Sequence, residues 1–221
     1  VWWIFEDKQG NLWFAGDQAI MMYDGRSFQN HAINDINDPP KAIHQDNHGA
    51  ISLIYQNNVA KYDNGNFVLL HGDKDSRGAL GDRQVWSSTM DGSGNLWLAT
   101  NRGIIKYDGD QFTAYTTDNG LLVNDIRDVL VDSQGILWCA TWGGGGAIYN
   151  GENFQAITTK DGLIHNNVRS IYEDGNGNMW FATEGGITKY TPKTDILPRI
   201  KLTKIVAEDS YTVFDEDSQI S

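Results

Sequence analysis

Residues 91–100 read DGSGNLWLAT, and recognisable copies of this stretch recur along the chain at a nearly constant spacing. The copies are residues 7–16 (DKQGNLWFAG), 46–55 (DNHGAISLIY, the most eroded), 132–141 (DSQGILWCAT) and 174–183 (DGNGNMWFAT). Trp13 and Trp97 are 84 positions apart, Trp97 and Trp138 are 41 apart, and Trp138 and Trp180 are 42 apart. A spacing of one unit every 41 or 42 residues is typical of a repeat architecture.

Each copy lies in a longer unit that reads as four short strands. An apolar segment leads into D-x-x-G, where Asp can bind its own backbone and Gly supplies a positive φ, so a tight turn is predicted. A strand of the LWLAT type follows, then a strand that ends in tyrosine, then a strand that opens with phenylalanine. Short aromatic and β-branched strands between Gly, Asp and Asn turns predict a four-stranded antiparallel sheet.

Both faces of these sheets are apolar, and stacking sheets around an axis buries both faces. The sequence therefore predicts an all-β fold, a β-propeller of four-stranded antiparallel blades, either a small ring or an arc of a larger one. The expected blades are residues 1–40, 41–82, 83–125, 126–167 and 168–197. Pro192 and Pro198 mark a boundary, and the alternating residues after it predict a new strand, which closes the ring or begins another domain.

Composition excludes several classes of partner and site. The chain has 221 residues, with 17 Lys plus Arg against 29 Asp plus Glu and a formal net charge of −12. A surface this acidic matches phosphate backbones poorly, so no nucleic-acid partner is expected. The single cysteine, Cys139, takes the slot of Leu98 and Phe181 in other repeats, and we expect it to be buried. No stretch reaches the roughly 20 apolar residues of a membrane span.

The chain begins at Val1 with neither a methionine nor a signal-like segment. We therefore interpret it as an excised or processed portion, in which the absence of a targeting sequence says nothing about location.

The fifth repeat carries the most specific pattern. Residues 171–190 follow I-x-E-D-x-x-G-N-x-W-x-A-T-x-x-G-I-x-K-Y, preceded by D-G-L-x-x-N-x-V-R-S-I at residues 161–171. This pattern resembles the two-component regulator propeller repeat, which builds the periplasmic sensor region of hybrid histidine kinases and of some diguanylate cyclases. Residues 198–210 (PRIKLTKIVAEDS) are similar to the opening of the Ig-like sandwich that follows such propellers.

The resemblance implies a ligand-sensing module of an envelope two-component receptor in the periplasm of a Gram-negative bacterium. Many of these receptors respond to polysaccharide fragments, so an oligosaccharide is the expected ligand. A histidine kinase output is implied for the full-length protein by the resemblance alone.

The loops predict where a ligand binds. The first and third turns of the repeats are near copies of one another, whereas the second turns and the crossings between blades differ, and diversity on a rigid scaffold favours recognition. Five positions before each turn aspartate, the repeats carry an aromatic or cationic residue, namely Trp2, Lys41, Trp86, Arg127 and Arg169. If these residues share one mouth of the channel, they form a ring suited to an acidic oligosaccharide.

The alternative is structural: the tryptophans pack between blades, and the arginines pair with Asp125, Asp128 or other acidic neighbours. Trp142, in TWGGGG, is a further candidate that stacks either on a ligand or on the next blade. The predicted ligand-binding residues are thus Trp2, Trp86, Trp142, Arg127 and Arg169.

Catalytic, metal and cofactor signals are weak. DGSGN resembles the start of a calcium loop, but its last glycine comes too early and the distal glutamate is missing. His44 and His48 straddle a turn, which argues against zinc. There is no G-x-S-x-G motif. We therefore expect no enzyme activity, no metal and no cofactor.

Two alternative functions remain. One is a protein-interaction propeller, and the other is a metal-dependent propeller lyase, similar to the streptogramin lyases. The expected partners are an oligosaccharide or other small ligand and a second copy of the chain, while any membrane contact would involve segments outside this region.

Overall fold

The computed structural model describes residues 3–16, 19–31, 38–63, 65–70 and 80–191, together with the backbone of residues 202–205. These residues form five antiparallel sheets of four strands each, in which strands follow one another in sequence order. The predicted fold class, an all-β propeller of four-stranded blades, is confirmed. The chain divides into two compact units, Val1–Tyr115 and Thr116–Ser221.

The first unit holds three blades. Blade 1 consists of β1 (Trp3–Glu6), β2 (Leu12–Ala15), β3 (Ile20–Tyr23) and β4 (Phe28–His31). Blade 2 consists of β5 (Ala42–Gln45), β6 (Ile51–Ile54), β7 (Val59–Asp63) and β8 (Asn66–Leu69). Blade 3 consists of β9 (Val85–Met90), β10 (Leu96–Thr100), β11 (Gly103–Tyr107) and β12 (Phe112–Tyr115). Within this unit, β5 contacts both β1 and β9, so the first strands of successive blades are neighbours.

The second unit holds two blades. Blade 4 consists of β13 (Ile126–Val131), β14 (Leu137–Thr141), β15 (Gly146–Tyr149) and β16 (Phe154–Ile157). Blade 5 consists of β17 (Val168–Glu173), β18 (Met179–Thr183), β19 (Gly186–Tyr190) and β20 (Leu202–Ile205). Here too the first strands, β13 and β17, are neighbours.

The fourth strand of blade 5 comes from beyond the boundary at residue 197. Leu202 pairs with Tyr190, and Ile205 pairs with Ile187, so β20 is the fourth strand of the last sheet. The Ig-like sandwich and the domain limits remain predictions, because most of residues 198–221 lie outside the described part of the chain.

In four of the five blades the turn aspartate binds both the turn that contains it and the tryptophan of the next strand. In blade 3, Asp91 Oδ1 accepts the backbone N–H groups of Ser93 and Asn95, both at 2.9 Å. Asp91 Oδ2 accepts the indole Nε1–H of Trp97 at 2.9 Å. The same indole bond measures 2.8 Å from Trp13 to Asp7, 2.7 Å from Trp138 to Asp132 and 2.9 Å from Trp180 to Asp174.

Blade 2 keeps the turn without the indole. Asp46 Oδ1 still accepts two backbone N–H groups, from His48 at 2.9 Å and Ala50 at 2.8 Å. Ser52 replaces the tryptophan, and the ammonium of Lys61 lies 3.9 Å from Asp46 Oδ2 instead. The second repeat therefore still folds as a blade, because Asp46 keeps the hydrogen bonds of its turn.

Apolar side chains fill the space between consecutive blades of a unit. In the second unit Trp138 and Ala140 of blade 4 belong to the same buried cluster as Ile171 and Phe181 of blade 5. Cys139 is fully buried, as expected, and burial raises the pKa of its thiol.

The two crossings of the second unit are built alike, so the expected diversity of crossings is wrong for this pair. A 3₁₀ turn, Thr117–Asn119 or Thr159–Asp161, begins after a threonine that forms a capping box and ends at a glycine in the left-handed region. The same asparagine bond holds both crossings: Thr117 N donates to Asn124 Oδ1, and Thr159 N donates to Asn166 Oδ1.

The hydrogen bonds from tryptophan indoles to turn aspartates predict that the protein becomes less stable in acid. Burial opposes the charged form of Asp91, yet hydrogen bonds from Trp97, Asn95 and the turn backbone outweigh it and lower the pKa of this carboxyl. A depressed folded-state pKa adds stability that is complete above the unfolded aspartate pKa of about 3.9 and is lost as pH falls below it. We expect the urea midpoint to fall as the pH is lowered from about 6 to about 2.5.

In Asp91→Asn the urea midpoint is expected to depend less strongly on pH. The substitution should also cost about 1–3 kcal/mol at pH 6, because an amide N–H would replace an acceptor oxygen. Asp110→Asn, a change in an exposed turn of the same blade, is the control. Equal acid slopes in both variants would contradict the role of the turn carboxylate.

Candidate functional site

The predicted ring position coincides with a register shift in the first strand of three blades. In β9, β13 and β17 the pairing with the second strand slips by one residue, and the extra residues are Trp86, Arg127 and Arg169. A β-bulge re-aims the side chain of its extra residue and is frequent next to binding sites. The sequence located this position, while the bulge itself depends on pairing between strands.

Arg127 and Arg169 meet at Trp142 in the second unit. The guanidinium carbon of each arginine lies 4.9 Å from the centre of the Trp142 indole ring. Trp142 begins the turn between β14 and β15, and its backbone N–H donates to Asp125 O at 2.8 Å. It also forms an isolated antiparallel bridge with Asn167. Three of the five predicted ligand-binding residues therefore form one cluster, which we call the arginine–tryptophan cluster.

Each arginine of the cluster has a carboxylate partner. Arg127 Nη2 donates to Asp125 Oδ2 at 2.7 Å, and Arg169 Nη2 donates to Glu184 Oε1 at 2.8 Å. Both arginines therefore pair with an acidic neighbour, as the structural alternative expected, and whether they also bind a ligand stays a prediction. Asp128 instead accepts Ser170 Oγ at 2.7 Å and the backbone N–H of Ile171 at 3.0 Å, so it joins blade 4 to blade 5.

Glu184 was not identified from the sequence. Its other oxygen, Oε2, accepts Asn167 Nδ2 at 2.8 Å. The hydrogen bonds from Asn167 and then Arg169 lower the pKa of this carboxyl, so Glu184 is ionised at neutral pH. Only the fold brings residue 184 to residue 169, because they lie on opposite sides of the β17–β18 hairpin.

The glycines after Trp142 let its turn lie against the neighbouring crossing. The backbone N–H groups of Gly143 and Gly145 both donate to Asn166 O, at 3.2 and 2.8 Å. Gly145 has φ +81°, and a Cβ there would lie 2.1 Å from Ile157 O. The turn is therefore a fixed support for the indole, joined by hydrogen bonds to the crossing that leads into blade 5.

A second candidate lies in the first unit, where Trp86 borders a cavity of about 430 Å³. The lining residues are Trp3, Asp38, Pro39, Pro40, Lys41, Gln56 and Trp86. Trp3 is 45% exposed and Trp86 is 41% exposed, an unusual state for such large apolar side chains in a first strand. We call this feature the tryptophan cavity.

Lys41 binds the backbone of β9 beside Trp86. Its Nζ donates to Val85 O at 2.8 Å and lies 5.4 Å from the centre of the Trp86 ring. Burial lowers the pKa of Lys41, while the charge of Asp38 opposes that shift. The predicted lysine and tryptophan thus do share a site.

Trp2, one of the predicted ligand-binding residues, lies outside the described residues, so its role stays a prediction. Its neighbour Trp3, which the sequence did not single out, lines the cavity.

Catalytic chemistry has little support in the described residues. They contain no group of three or more His, Cys, Asp or Glu side chains placed to hold a metal ion. His44 Nε2 lies 2.8 Å from Ser88 Oγ, and burial lowers the pKa of His44 to about 4, so the ring is neutral at pH 7.

Comparison with known proteins shows that parts of this chain are similar to one protein family. The model of the family "two component regulator propeller" matches residues 1–18, 120–143 and 162–185. These segments are similar to two-component regulator propeller repeats. The second contains Arg127 and Trp142, and the third contains Arg169 and Glu184, so both halves of the arginine–tryptophan cluster lie in matched repeats.

Solved structures share the propeller fold. The extracellular domain of BT4673 from B. thetaiotaomicron, named as a hybrid two component system, aligns with a TM-score of 0.67 at 17% identity, over 94% of this chain and 31% of that one. A streptogramin B lyase aligns with a TM-score of 0.64 at 16% identity, over 94% and 70% of the two chains. Virginiamycin B lyase from Staphylococcus aureus gives 0.63 at 14% identity, over 91% and 69%.

The chain spans only about a third of the length of the BT4673 domain. At sequence identities of 14%, 16% and 17% the likeness concerns the fold alone. No curated protein sequence matches the chain. Within the described residues, no helix has the length and apolar character needed to cross a membrane.

The turn that carries Trp142 provides a stability test. Gly145→Ala should destabilise the protein by more than about 2 kcal/mol, because the new Cβ meets Ile157 O and the backbone stays in the left-handed region. Gly109→Ala is the matched control, since Gly109 also has positive φ, +102°, but has no atom within 4 Å of an added Cβ. Urea unfolding of both variants separates the clash from the φ penalty, and equal losses would show that the turn yields.

Proposed function

We propose that this chain is a non-catalytic ligand-sensing module of an envelope two-component receptor, and that its ligand is an oligosaccharide. The observation that carries the ligand class is the tryptophan cavity, with Trp3 and Trp86 both more than a third exposed at its wall. The two-component regulator propeller repeats support the signalling context.

The chemistry of the cavity suits a sugar. Its volume of about 430 Å³ lies in the usual range for small-molecule sites. Indole faces offer flat apolar surface to the C–H faces of a pyranose, and they lose little conformational entropy when a ligand stacks on them. Gln56, Asp38 and Lys41 add an amide, a carboxylate and an ammonium that can bind hydroxyl groups.

Sensing requires that the ligand favour one arrangement of the receptor over another. The tryptophan cavity draws its walls from β1, from the segment before β5 and from β9, which belong to three blades of the first unit. A ligand bound there would contact all three blades and stabilise their packing. We place the module outside the cytoplasmic membrane, in line with the extracellular domain of BT4673 that shares its fold.

The test is isothermal titration of the 221-residue chain against neutral and acidic oligosaccharides of two to six sugars, supported by thermal shift. Trp86→Ala and Trp3→Ala should each weaken binding of the responding oligosaccharide about tenfold, because each removes one stacking face. Tyr172→Ala, which removes an aromatic side chain that is 65% exposed, is the control and should leave affinity unchanged.

Two outcomes would count against the proposal. A flat response across the panel, with a protein partner captured instead, would favour the protein-interaction propeller. Binding that survives both tryptophan variants would move the ligand away from this cavity.

A further inference from the structure

We propose that the arginine–tryptophan cluster is an oxyanion site that takes the carboxylate or sulfate group of an acidic ligand. It is built from other residues than those of the tryptophan cavity, and it does not depend on the ligand proposed there. In this site the indole supports the two guanidinium groups, and the more exposed guanidinium, that of Arg169, binds the anion.

The cluster is mounted on one hydrogen-bonded frame. Trp142 is tied through its backbone to Asp125 and Asn167, and each of these residues lies two positions before one of the arginines. Arg127 and Arg169 are themselves the extra residues of two equivalent bulges. The three side chains are therefore positioned before any ligand arrives, which lowers the entropic cost of binding.

The two guanidinium groups are close enough for the charge of Arg127 to influence an anion bound at Arg169. Each guanidinium carbon lies 4.9 Å from the same ring centre, so the two carbons are at most 9.8 Å apart. At 0.1 M salt the screening length is about 10 Å, so their repulsion is only partly screened. An anion bound at Arg169 is therefore attracted by the positive charge of both groups, although the chain as a whole carries a net charge of −12.

Asp125 and Glu184 hold the site in its ligand-free form. Asp125 contacts Nη2 of Arg127, and Glu184 contacts Nη2 of Arg169. Each guanidinium carries five N–H donors in a planar fork, which suits the two oxygens of a carboxylate or sulfate. A ligand oxyanion therefore competes with an internal carboxylate.

The competition takes place at Arg169. Its side chain is 64% exposed and that of Glu184 is 36% exposed, whereas the side chain of Arg127 is 30% exposed. An incoming anion thus reaches Arg169 first and exchanges with Glu184, while Arg127 stays with Asp125. The Trp142 ring is already in contact with both guanidinium groups. The site therefore recognises the charge of the ligand, and no sugar ring stacks on the indole.

The probes are sodium sulfate and sodium glucuronate, each titrated against sodium chloride at constant ionic strength. The readout is the indole ¹⁵N–¹H resonance of Trp142, assigned with Trp142→Phe. We expect a saturable shift with sulfate, glucuronate or both, and the responding probe names the ligand group as a sulfate ester or a carboxylate. Arg169→Gln should weaken binding about tenfold. Arg102→Gln, an exposed arginine in the corresponding turn of blade 3, should not change it.

Glu184→Gln separates an anion site from a structural ion pair. Removing the internal competitor should tighten binding severalfold, whereas a purely structural pair would give weaker or unchanged binding. The proposal is overturned by the absence of a saturable shift with either probe, by an affinity that is unchanged in Arg169→Gln, or by a Glu184→Gln variant that binds no more tightly. Each result is independent of whether any oligosaccharide binds at the tryptophan cavity.

Discussion

The hydrogen bond from a tryptophan indole to a turn aspartate is the contact on which four of the five blades depend. A buried indole N–H needs an acceptor, and a carboxylate that already binds two backbone N–H groups supplies one without further ordering. The bond fixes the turn, the side of the sheet on which the tryptophan lies and hence the face that packs on the next blade. Blade 2 shows the minimum requirement, because Asp46 keeps its turn bonds although Ser52 has replaced the indole.

Because the second strand of each blade is fixed in this way, differences between blades take effect in the first strand. The tryptophan sits on the second strand, and the first strand is paired to it on one side only. A one-residue slip near the start of the first strand re-aims one side chain and leaves the rest of the sheet in register. Three blades use this slip, and they present a tryptophan or an arginine there. The same scaffold therefore offers stacking surface in one unit and positive charge in the other.

The two candidate sites follow different physical rules. The tryptophan cavity is an open concave surface whose aromatic walls are half exposed, and affinity there would come from apolar contact. In the arginine–tryptophan cluster the charges are already balanced by Asp125 and Glu184, and affinity would come from exchanging one anion for another.

The sequence by itself determined the blades, because their turns depend on residues two to six positions apart and repeat at a fixed period. It also singled out Trp86, Arg127 and Arg169, since these residues occupy the same position in their repeats, five residues before the turn aspartate. Tertiary structure decided which groups meet. Glu184 reaches Arg169 across a hairpin, Trp3 lines the cavity through strand register, and residues 202–205 complete the last sheet. These contacts join residues whose separation along the chain carries no period, so only the packing of strands and blades could bring them together.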